Sequence, residues 1–334
     1  MLKSSRPQPT LLPVVDIVVI GRNEGKRLDA TFGSIETAAR RLIYVDSGST
    51  DDSVAIAKRY NAIVVNLDVN IPFTAARARN AGLAEITRHP LPPAYVQFMD
   101  GDCSLSSEWL KRGIDHLARF PAIGAVCGRR REIHPDASIY NRMCDWEWNT
   151  PLGPTHACGG DMLVRYSAIT SVGGYREDVI AAEDNEVCQR LIAKGWGLYR
   201  LDADMTHHDA DMNSFSQWWK RAVRAGHGFA QVGDLHPGYF RTERRRVWFW
   251  STWVPLTGPI LSLIWTPLML TAPLLYLASF LKCLRSFRRG DFSWSHAIKL
   301  SALLVISKFP NLQGILTWRR TRAKHLTPTI IEYK

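Results

Sequence analysis

Short runs of β-branched and aromatic residues alternate with segments of helical spacing along the first part of the chain, and this rhythm constrains the fold most. The clearest runs are residues 17–20, 42–45, 63–65 and 95–99. Further strands are predicted at 123–127 and 162–164, and helices at 28–39, 139–148 and 184–194. Strands that alternate with helices form a parallel sheet with helices on both faces. The sequence therefore predicts an α/β fold around a mostly parallel, Rossmann-like sheet.

Polar residues follow several of these runs at the point where each predicted strand ends. Asn23 and Glu24 follow the first, Asp46 follows the second, and Asp100 and Asp102 follow the fourth. Ligands of open α/β sheets bind beyond the carboxyl ends of the strands. Two carboxylates two residues apart can face one cation, and such oxygen ligands suit Mg²⁺ or Mn²⁺. Asp-x-Asp is also common in turns, and the Asp46 loop equally fits a turn that caps a helix.

Glu183 and Asp184 begin the predicted helix at 184–194. A carboxylate at this position can serve as a general base that takes a proton from a hydroxyl group. It can equally be an acidic residue stabilised by the helix dipole. The spacing alone does not choose between these interpretations.

The order of these motifs resembles that of the family 2 glycosyltransferases, which are inverting sugar transferases with a GT-A fold. The matching stretches are residues 19–24, 45–51, 78–82, 99–102, 172–175 and 182–184. The resemblance implies transfer of a sugar from a nucleoside-diphosphate sugar to a hydroxyl acceptor, with Mg²⁺ or Mn²⁺ as cofactor. Processive relatives carry Gln-x-x-Arg-Trp, but here the order is Gln-Trp-Trp-Lys-Arg at 217–221, which favours transfer of single sugars.

The resemblance also implies roles for individual residues. The nucleotide side would be formed by Asn23, Glu24, Asp46, Arg79, Asn80 and Asp100. Asp102 would be the main metal ligand, assisted by Asp100 and by His207 or its neighbour His208, and Asp184 would be the catalytic base. The acceptor side would include Gly159, Gly160, Asp161, Glu183, Trp218 and Trp219. The two tryptophans can stack on an acceptor sugar, but core packing or membrane contact explains them equally well.

The net charge of +11 is concentrated in the last third of the chain. Residues 1–240 carry a net charge of −1 and residues 241–334 a net charge of +12. Basic clusters flank residues 247–281, a run without charged residues that is longer than the ~20 residues of one membrane span. Prolines divide this run, which predicts an apolar hairpin of two short helices or a re-entrant pair with both ends on the cytoplasmic side. A second stretch, 297–318, is amphipathic and is expected to lie on the membrane.

These features predict a GT-A catalytic domain at 1–240 followed by a membrane-associated helical region at 241–334. A buried helical subdomain is the alternative for the second part. Basic residues that flank apolar runs favour a membrane surface as the partner, and nucleic acid is not expected. The sequence predicts no signal peptide, and its six irregularly spaced cysteines are expected to be free thiols. We therefore expect the catalytic domain in the cytoplasm, at the cytoplasmic membrane.

The expected acceptor is a lipid-linked or other surface-bound glycan, as in polysaccharide biosynthesis. Two other functions are compatible with the fold: a nucleotidyltransferase that makes nucleotide sugars, and a catalytically inactive membrane scaffold. A nucleotidyltransferase would have a glycine-rich phosphate loop after the first strand, where this chain has Gly-Arg-Asn-Glu at 21–24. The acidic residues at the strand ends argue against a scaffold.

Overall fold

The computed structural model describes residues 15–35, 39–326 and 330–331. Its strands are β1 (Val15–Gly21), β2 (Arg41–Asp46), β3 (Ile63–Asn66), β4 (Tyr95–Asp100), β5 (Cys103–Leu105), β6 (Ile123–Glu132), β7 (Gly153–Pro154), β8 (Leu163–Arg165) and β9 (Gly197–His208). The helices of the first 240 residues are α1 (Lys26–Gly33), α2 (Ser53–Arg59), α3 (Ala75–Thr87), α4 (Trp109–Arg119), α5 (Ile139–Glu147), α6 (Tyr166–Ser171), α7 (Glu183–Ala193) and α8 (Phe215–Leu235). They are followed by α9 (Arg241–Trp248), α10 (Val254–Ser262), α11 (Thr271–Arg289), α12 (Trp294–Ile306) and α13 (Lys308–Ala323). The predicted helix at 28–39 reaches residues 36–38, which lie outside the described part.

The strands form one mixed sheet in the order β3-β2-β1-β4-β8-β6-β9-β5, and β7 also pairs with β9. The first four strands of this order are parallel neighbours, as the alternation with helices predicted. Beyond β4 the sheet is mixed, because β8 runs antiparallel to both of its neighbours and β9 runs parallel to β6 but antiparallel to β5 and β7. The sequence analysis did not predict β9 or α8.

Helices cover both faces of the parallel half. Val19 pairs in register with Tyr44, so their side chains share one face, and there Tyr44 meets Phe32 of α1 edge to face with ring centroids 5.9 Å apart. Val18 points to the other face. A Cβ atom added to Gly82 of α3 would lie only 2.3 Å from Val18 Cγ1. Glycine at this position therefore allows α3 to approach the sheet closely.

The apolar hairpin (residues 247–281) begins at the end of α9 and continues through a π-helical turn (Phe249–Trp253), α10, a 3₁₀ turn (Thr266–Leu270) and α11. Leu263, Ile264 and Trp265 lie between α10 and α11, and their side chains are 87, 80 and 64% exposed. In the part of the chain that the structure describes, two helical stretches are long and apolar enough to cross a membrane, namely Thr266–Arg289 and Trp294–Ala323.

The C-terminal helices also pack against the first 240 residues. The segment 297–318, predicted as one amphipathic helix, is divided at Ser307 into α12 and α13. A Cβ atom added to Gly226 of α8 would lie 2.0 Å from the Asn311 carbonyl oxygen of α13, and one added to Gly314 would lie 2.0 Å from the Val223 carbonyl oxygen. The two glycines thus let the backbones of α8 and α13 cross in direct contact.

Candidate active site

Strand β4 ends at Asp100, before the loop that carries Asp102, and the Asp100 carboxylate is held by two guanidinium groups. Arg79 Nη2 donates to Oδ1 at 2.8 Å, and Arg130 Nη2 donates to Oδ2 at 2.9 Å. Burial raises the pKa of Asp100, but the charges of Arg79 and Arg130 outweigh it and hold the pKa below its ordinary value despite the nearby Asp102. Asp100 is therefore a fixed anion at the carboxyl edge of the sheet.

Arg79 links this loop to the start of α7. Its side chain is 2% exposed, and Nη1 donates to Glu183 Oε1 at 2.7 Å while Nη2 holds Asp100. Burial lowers the pKa of Arg79, but the charges of Asp100 and Glu183 more than reverse this, so the pKa is raised. One buried cation thus joins two acidic segments that lie 83 positions apart in the sequence, from 100 to 183.

Glu183 and Asp184 are the first two residues of α7, and they follow Ala182, which adopts a left-handed conformation with φ of 59°. A non-glycine residue in this region is strained, and such strain persists only where the surroundings fix it. Gly228 of α8 contributes here, because a Cβ atom at Gly228 would lie 3.0 Å from the Ala182 methyl group. Asn185 donates to Asp184 Oδ1 from its backbone N at 2.9 Å and from Nδ2 at 3.1 Å.

The pKa of Asp184 is raised by burial and by the charge of Glu183, while the charge of Arg79 and the hydrogen bonds from Asn185 oppose the rise. A higher pKa makes this carboxylate a stronger proton acceptor than an exposed aspartate, provided the pH keeps it ionised. The position predicted for a general base therefore has the electrostatics of one.

A turn containing Gly159 and Gly160 lies between these acidic segments. A Cβ atom at Gly160 would be 2.5 Å from Arg79 Nη2 and 3.6 Å from Asp100 Oδ2, and one at Gly159 would be 3.9 Å from Asp184 Oδ2. Both glycines were predicted on the acceptor side. Because they have no Cβ atom, they do not fill the space beside Asp100 and Asp184.

The structure places His208, rather than His207, beside Asp102, which corrects the metal ligand given above for the third position. His208 Nε2 lies 3.3 Å from Asp102 Oδ1, and the Cys103 Sγ atom is close enough for all three to surround one ion. Successive side chains of β9 point to opposite faces, so His207 points away, into a shallow surface cavity beside Arg112. The sequence could not set this register because β9 was not predicted.

Asp161, predicted on the acceptor side, is instead buried beneath the Asp100 loop with 1% of its surface exposed. Its Oδ2 atom accepts hydrogen bonds from Arg130 Nε at 2.8 Å and Thr206 Oγ1 at 2.7 Å, and Oδ1 accepts one from the Asp100 backbone at 3.3 Å. Asp161 therefore supports the site from below and does not line it. Arg130 was missed by the sequence analysis; the signal was the Arg-Arg-Arg run that follows the predicted strand at 123–127.

Asn23 and Asp46, both predicted on the nucleotide side, lie together at the ends of β1 and β2. Asn23 Oδ1 accepts a hydrogen bond from the Thr50 backbone at 2.7 Å. Asp46 Oδ2 accepts hydrogen bonds from the backbones of Gly48 and Ser49 at 2.9 and 2.8 Å. The two loops are thus joined at the sheet edge.

Glu24 and Asn80, also predicted on the nucleotide side, contact different parts of the chain. The backbones of Glu24 and Gly25 donate to Ser53 Oγ, each at 3.1 Å, which fixes the first loop to α2. The Asn80 side chain donates to the Tyr175 carbonyl oxygen and accepts from the Tyr175 backbone N, both at 2.8 Å. Asn80 therefore holds the loop at Tyr175.

The two tryptophans, for which stacking on an acceptor sugar was one interpretation, both contact other parts of the chain. Trp218 is 3% exposed and lies in an apolar cluster with Met143, Met212 and Phe287, so core packing is the correct interpretation. Trp219 Nε1 donates to Gln313 Oε1 of α13 at 2.9 Å.

The chain is similar to known glycosyltransferases. Residues 16–166 match the Glycosyl transferase family 2 model. Glycosyltransferase AglE of Haloferax volcanii is 23% identical over 256 residues, which cover 73% of this chain and 80% of the relative. The O-antigen chain rhamnosyltransferase WbaN of Salmonella anatum is 25% identical over 181 residues, covering 50% of this chain and 56% of the relative.

A solved structure has the same fold over most of the chain. The mannosyltransferase PcManGT from Pyrobaculum calidifontis, in complex with GDP-Man and Mn²⁺, superposes with a TM-score of 0.60 at 17% identity, covering 92% of this chain and 89% of that one. The family match, these relatives and the shared fold show that residues 16–166 are a family 2 glycosyltransferase domain and that the chain has a GT-A fold.

Proposed function

We propose that the enzyme transfers a single sugar, with inversion, from a nucleoside-diphosphate sugar to a hydroxyl group of a lipid-linked or glycan acceptor at the cytoplasmic face of a membrane. The observation that supports this best is the buried Arg79, which joins Asp100 to Glu183. The Asp100 carboxylate lies near Gly160 and the predicted base Asp184 lies near the adjacent Gly159, so both border one turn. An inverting displacement needs groups for both partners beside one site, because the leaving diphosphate and the attacking hydroxyl lie on opposite sides of the reacting carbon.

The donor side fits a divalent cation held by Asp102 and His208. Their ligand atoms and Cys103 Sγ lie within 4.8 Å of one another, and carboxylate oxygen with imidazole nitrogen is a donor set that Mn²⁺ accepts. Asp100 is the less suitable ligand, because each of its oxygens already accepts from an arginine. When bound, a cation supplies positive charge for the departing diphosphate.

Asp184 would accept the proton of the acceptor hydroxyl. Asn185 fixes one oxygen of the carboxylate, which leaves Oδ2, the atom nearest Gly159, for the acceptor. Glu183 is paired with Arg79 at 2.7 Å, so it positions the start of α7.

The acceptor is inferred from the C-terminal helices. The exposed apolar turn at Leu263 and Ile264 and the excess of +12 charges at 241–334 favour an anionic membrane surface. The name of the Salmonella relative, an O-antigen chain rhamnosyltransferase, supports a glycan acceptor.

The test is a screen of nucleotide sugars with Mn²⁺ or Mg²⁺, read as release of the nucleoside diphosphate. His208→Ala is expected to lose most donor turnover and metal dependence, while the neighbouring control His207→Ala keeps both. Asp102→Ala should behave as His208→Ala does, and Asp184→Asn should bind donor but not transfer the sugar. Full metal-dependent turnover in Asp102→Ala would refute the metal assignment, and a requirement for a sugar phosphate plus a nucleoside triphosphate would identify a nucleotidyltransferase instead.

A further inference from the structure

A cavity of about 480 Å³ lies at the base of the apolar hairpin, outside the residues assigned to donor binding and proton transfer. It is formed where the end of α8, helix α9 and helix α13 meet. Helix α9 lines it with Arg241, Arg244, Arg245 and Trp248, a spacing of three, four and seven residues that places all four side chains on one face. Arg319 of α13 completes the set, with its guanidinium 4.9 Å from the centre of the Trp248 ring.

The arginines of this cavity are only partly neutralised. Arg244 Nη1 lies 3.1 Å from Asp234 Oδ1, and the other oxygen of Asp234 is 2.8 Å from Arg322 Nη1. Within the described ranges no carboxylate lies within ion-pair distance of Arg241 or Arg245, and both side chains are exposed. The cavity therefore retains positive charge for an anion, and arginine favours phosphate because its planar fork donates two parallel hydrogen bonds.

The same cavity is continuous with the apolar hairpin. Trp253 lines it and belongs to the π-helical turn that begins the hairpin, and it is 61% exposed. Leu256 and Ile260 follow on α10 and are 44 and 56% exposed. Arginine beside exposed tryptophan and aliphatic residues matches a molecule with an anionic head and an apolar tail.

A short chain of hydrogen bonds joins the cavity to the predicted base. Tyr239 lines the cavity, and its hydroxyl group donates to Asn185 Oδ1 at 2.6 Å. Asn185 in turn donates to Asp184 Oδ1. A phosphate held by the arginines would therefore be linked to Asp184 through the side chains of Tyr239 and Asn185.

We propose that this cavity binds the phosphate or diphosphate group of a lipid-linked acceptor and thereby presents the acceptor to Asp184. The assignment rests on the proposed function, since it names the acceptor class of the same site. Phosphate groups of bulk membrane lipids share this chemistry, so the test has to separate the two sources.

The full chain is purified in detergent and mixed, without donor, with phosphatidylcholine vesicles that contain either a long-chain polyprenyl phosphate or phosphatidylglycerol of equal total charge. Flotation measures binding. The wild-type protein is expected to bind the polyprenyl phosphate vesicles at least about tenfold more tightly, since one charge-assisted hydrogen bond suffices for that ratio. Arg241→Ala/Arg245→Ala should lose this preference, whereas the control Arg246→Ala/Arg320→Ala removes two exposed arginines of the same helices from outside the cavity and should keep it.

Equal binding of the wild-type protein to both vesicles would overturn the acceptor assignment, and so would equal loss of preference in both double variants. Arg241→Lys/Arg245→Lys, which keeps the charge but loses the paired donors, should retain only part of the preference. Because the assay contains no donor, it separates the two proposals. Absence of sugar transfer by the wild-type protein would refute the proposed function, while absence of the lipid preference would refute this assignment alone.

Discussion

Replacing Arg79 with lysine tests whether one buried guanidinium organises the active site. The two terminal nitrogens of Arg79 hold two different carboxylates, Asp100 at 2.8 Å and Glu183 at 2.7 Å. A lysine ammonium is a single point charge and cannot hold both in this geometry. The side chain of Glu183 is 9% exposed and that of Asp100 is 30% exposed, so the ammonium is expected to remain with the more buried Glu183.

The magnitude follows from the hydrogen bond that is lost. A hydrogen bond between charged groups contributes about 1.5–3 kcal/mol. The lower end applies to Arg79→Lys because Asp100 keeps its contact with Arg130 at 2.9 Å. Arg79→Met leaves Glu183 buried without its charge partner and should cost about 3–5 kcal/mol.

The assay pairs thermal unfolding of the detergent-purified protein with donor turnover. Arg79→Lys should lower the apparent Tm moderately and reduce turnover by about tenfold or more, because a loss of about 1.4 kcal/mol in positioning corresponds to a factor of ten. Arg88→Lys, at the exposed end of the same helix, is the matched control and should change neither. Wild-type stability and turnover in Arg79→Lys would refute the bridging role.

Three other perturbations test separate parts of the structure. Because the pKa of Asp184 is raised, turnover should fall with decreasing pH at a higher pH than an ordinary aspartate would cause. Glu183→Gln removes one cause of the raised pKa and should shift this fall to lower pH in a pH–rate profile. An unchanged profile would contradict Asp184 as the base. Leu263→Glu/Ile264→Glu should leave thermal unfolding unchanged but release the protein from membranes on sedimentation, and continued sedimentation would place the anchor elsewhere. Gly226→Ala should lower the free energy of unfolding by about 1–3 kcal/mol and therefore the apparent Tm, because the added Cβ would lie 2.0 Å from an α13 carbonyl oxygen. An unchanged Tm would mean that α8 and α13 separate easily.

The parallel half of the sheet could be predicted from the sequence because its strands are short apolar runs, and β1 and β4 are buried on both faces. Strand β1 consists almost wholly of buried residues, so its apolar run is continuous. Strand β9 alternates buried and exposed residues and includes charged ones, and its length depends on partners from distant parts of the chain. No local pattern indicates such a strand.

The same dependence on distant parts of the chain limited what could be predicted about the site. Asp100 follows a strand that the sequence reveals, and the structure brings it to Glu183 through Arg79. The choice between His207 and His208 depended on the unpredicted register of β9. Trp218 could be assigned to the core only once helices from residues 271–306 were packed on it.

Helix α8 has a consequence for any attempt to exchange parts between related enzymes. Through Gly228 it abuts the strained segment at Ala182, and through Gly226 it crosses α13 without intervening side chains. A chimera joined at residue 240 would combine an α8 from one parent with an α13 from another, and the two backbones would have to fit at van der Waals distance. Exchange of C-terminal regions should therefore carry α8 along, with the junction before Ser214, the residue that caps it.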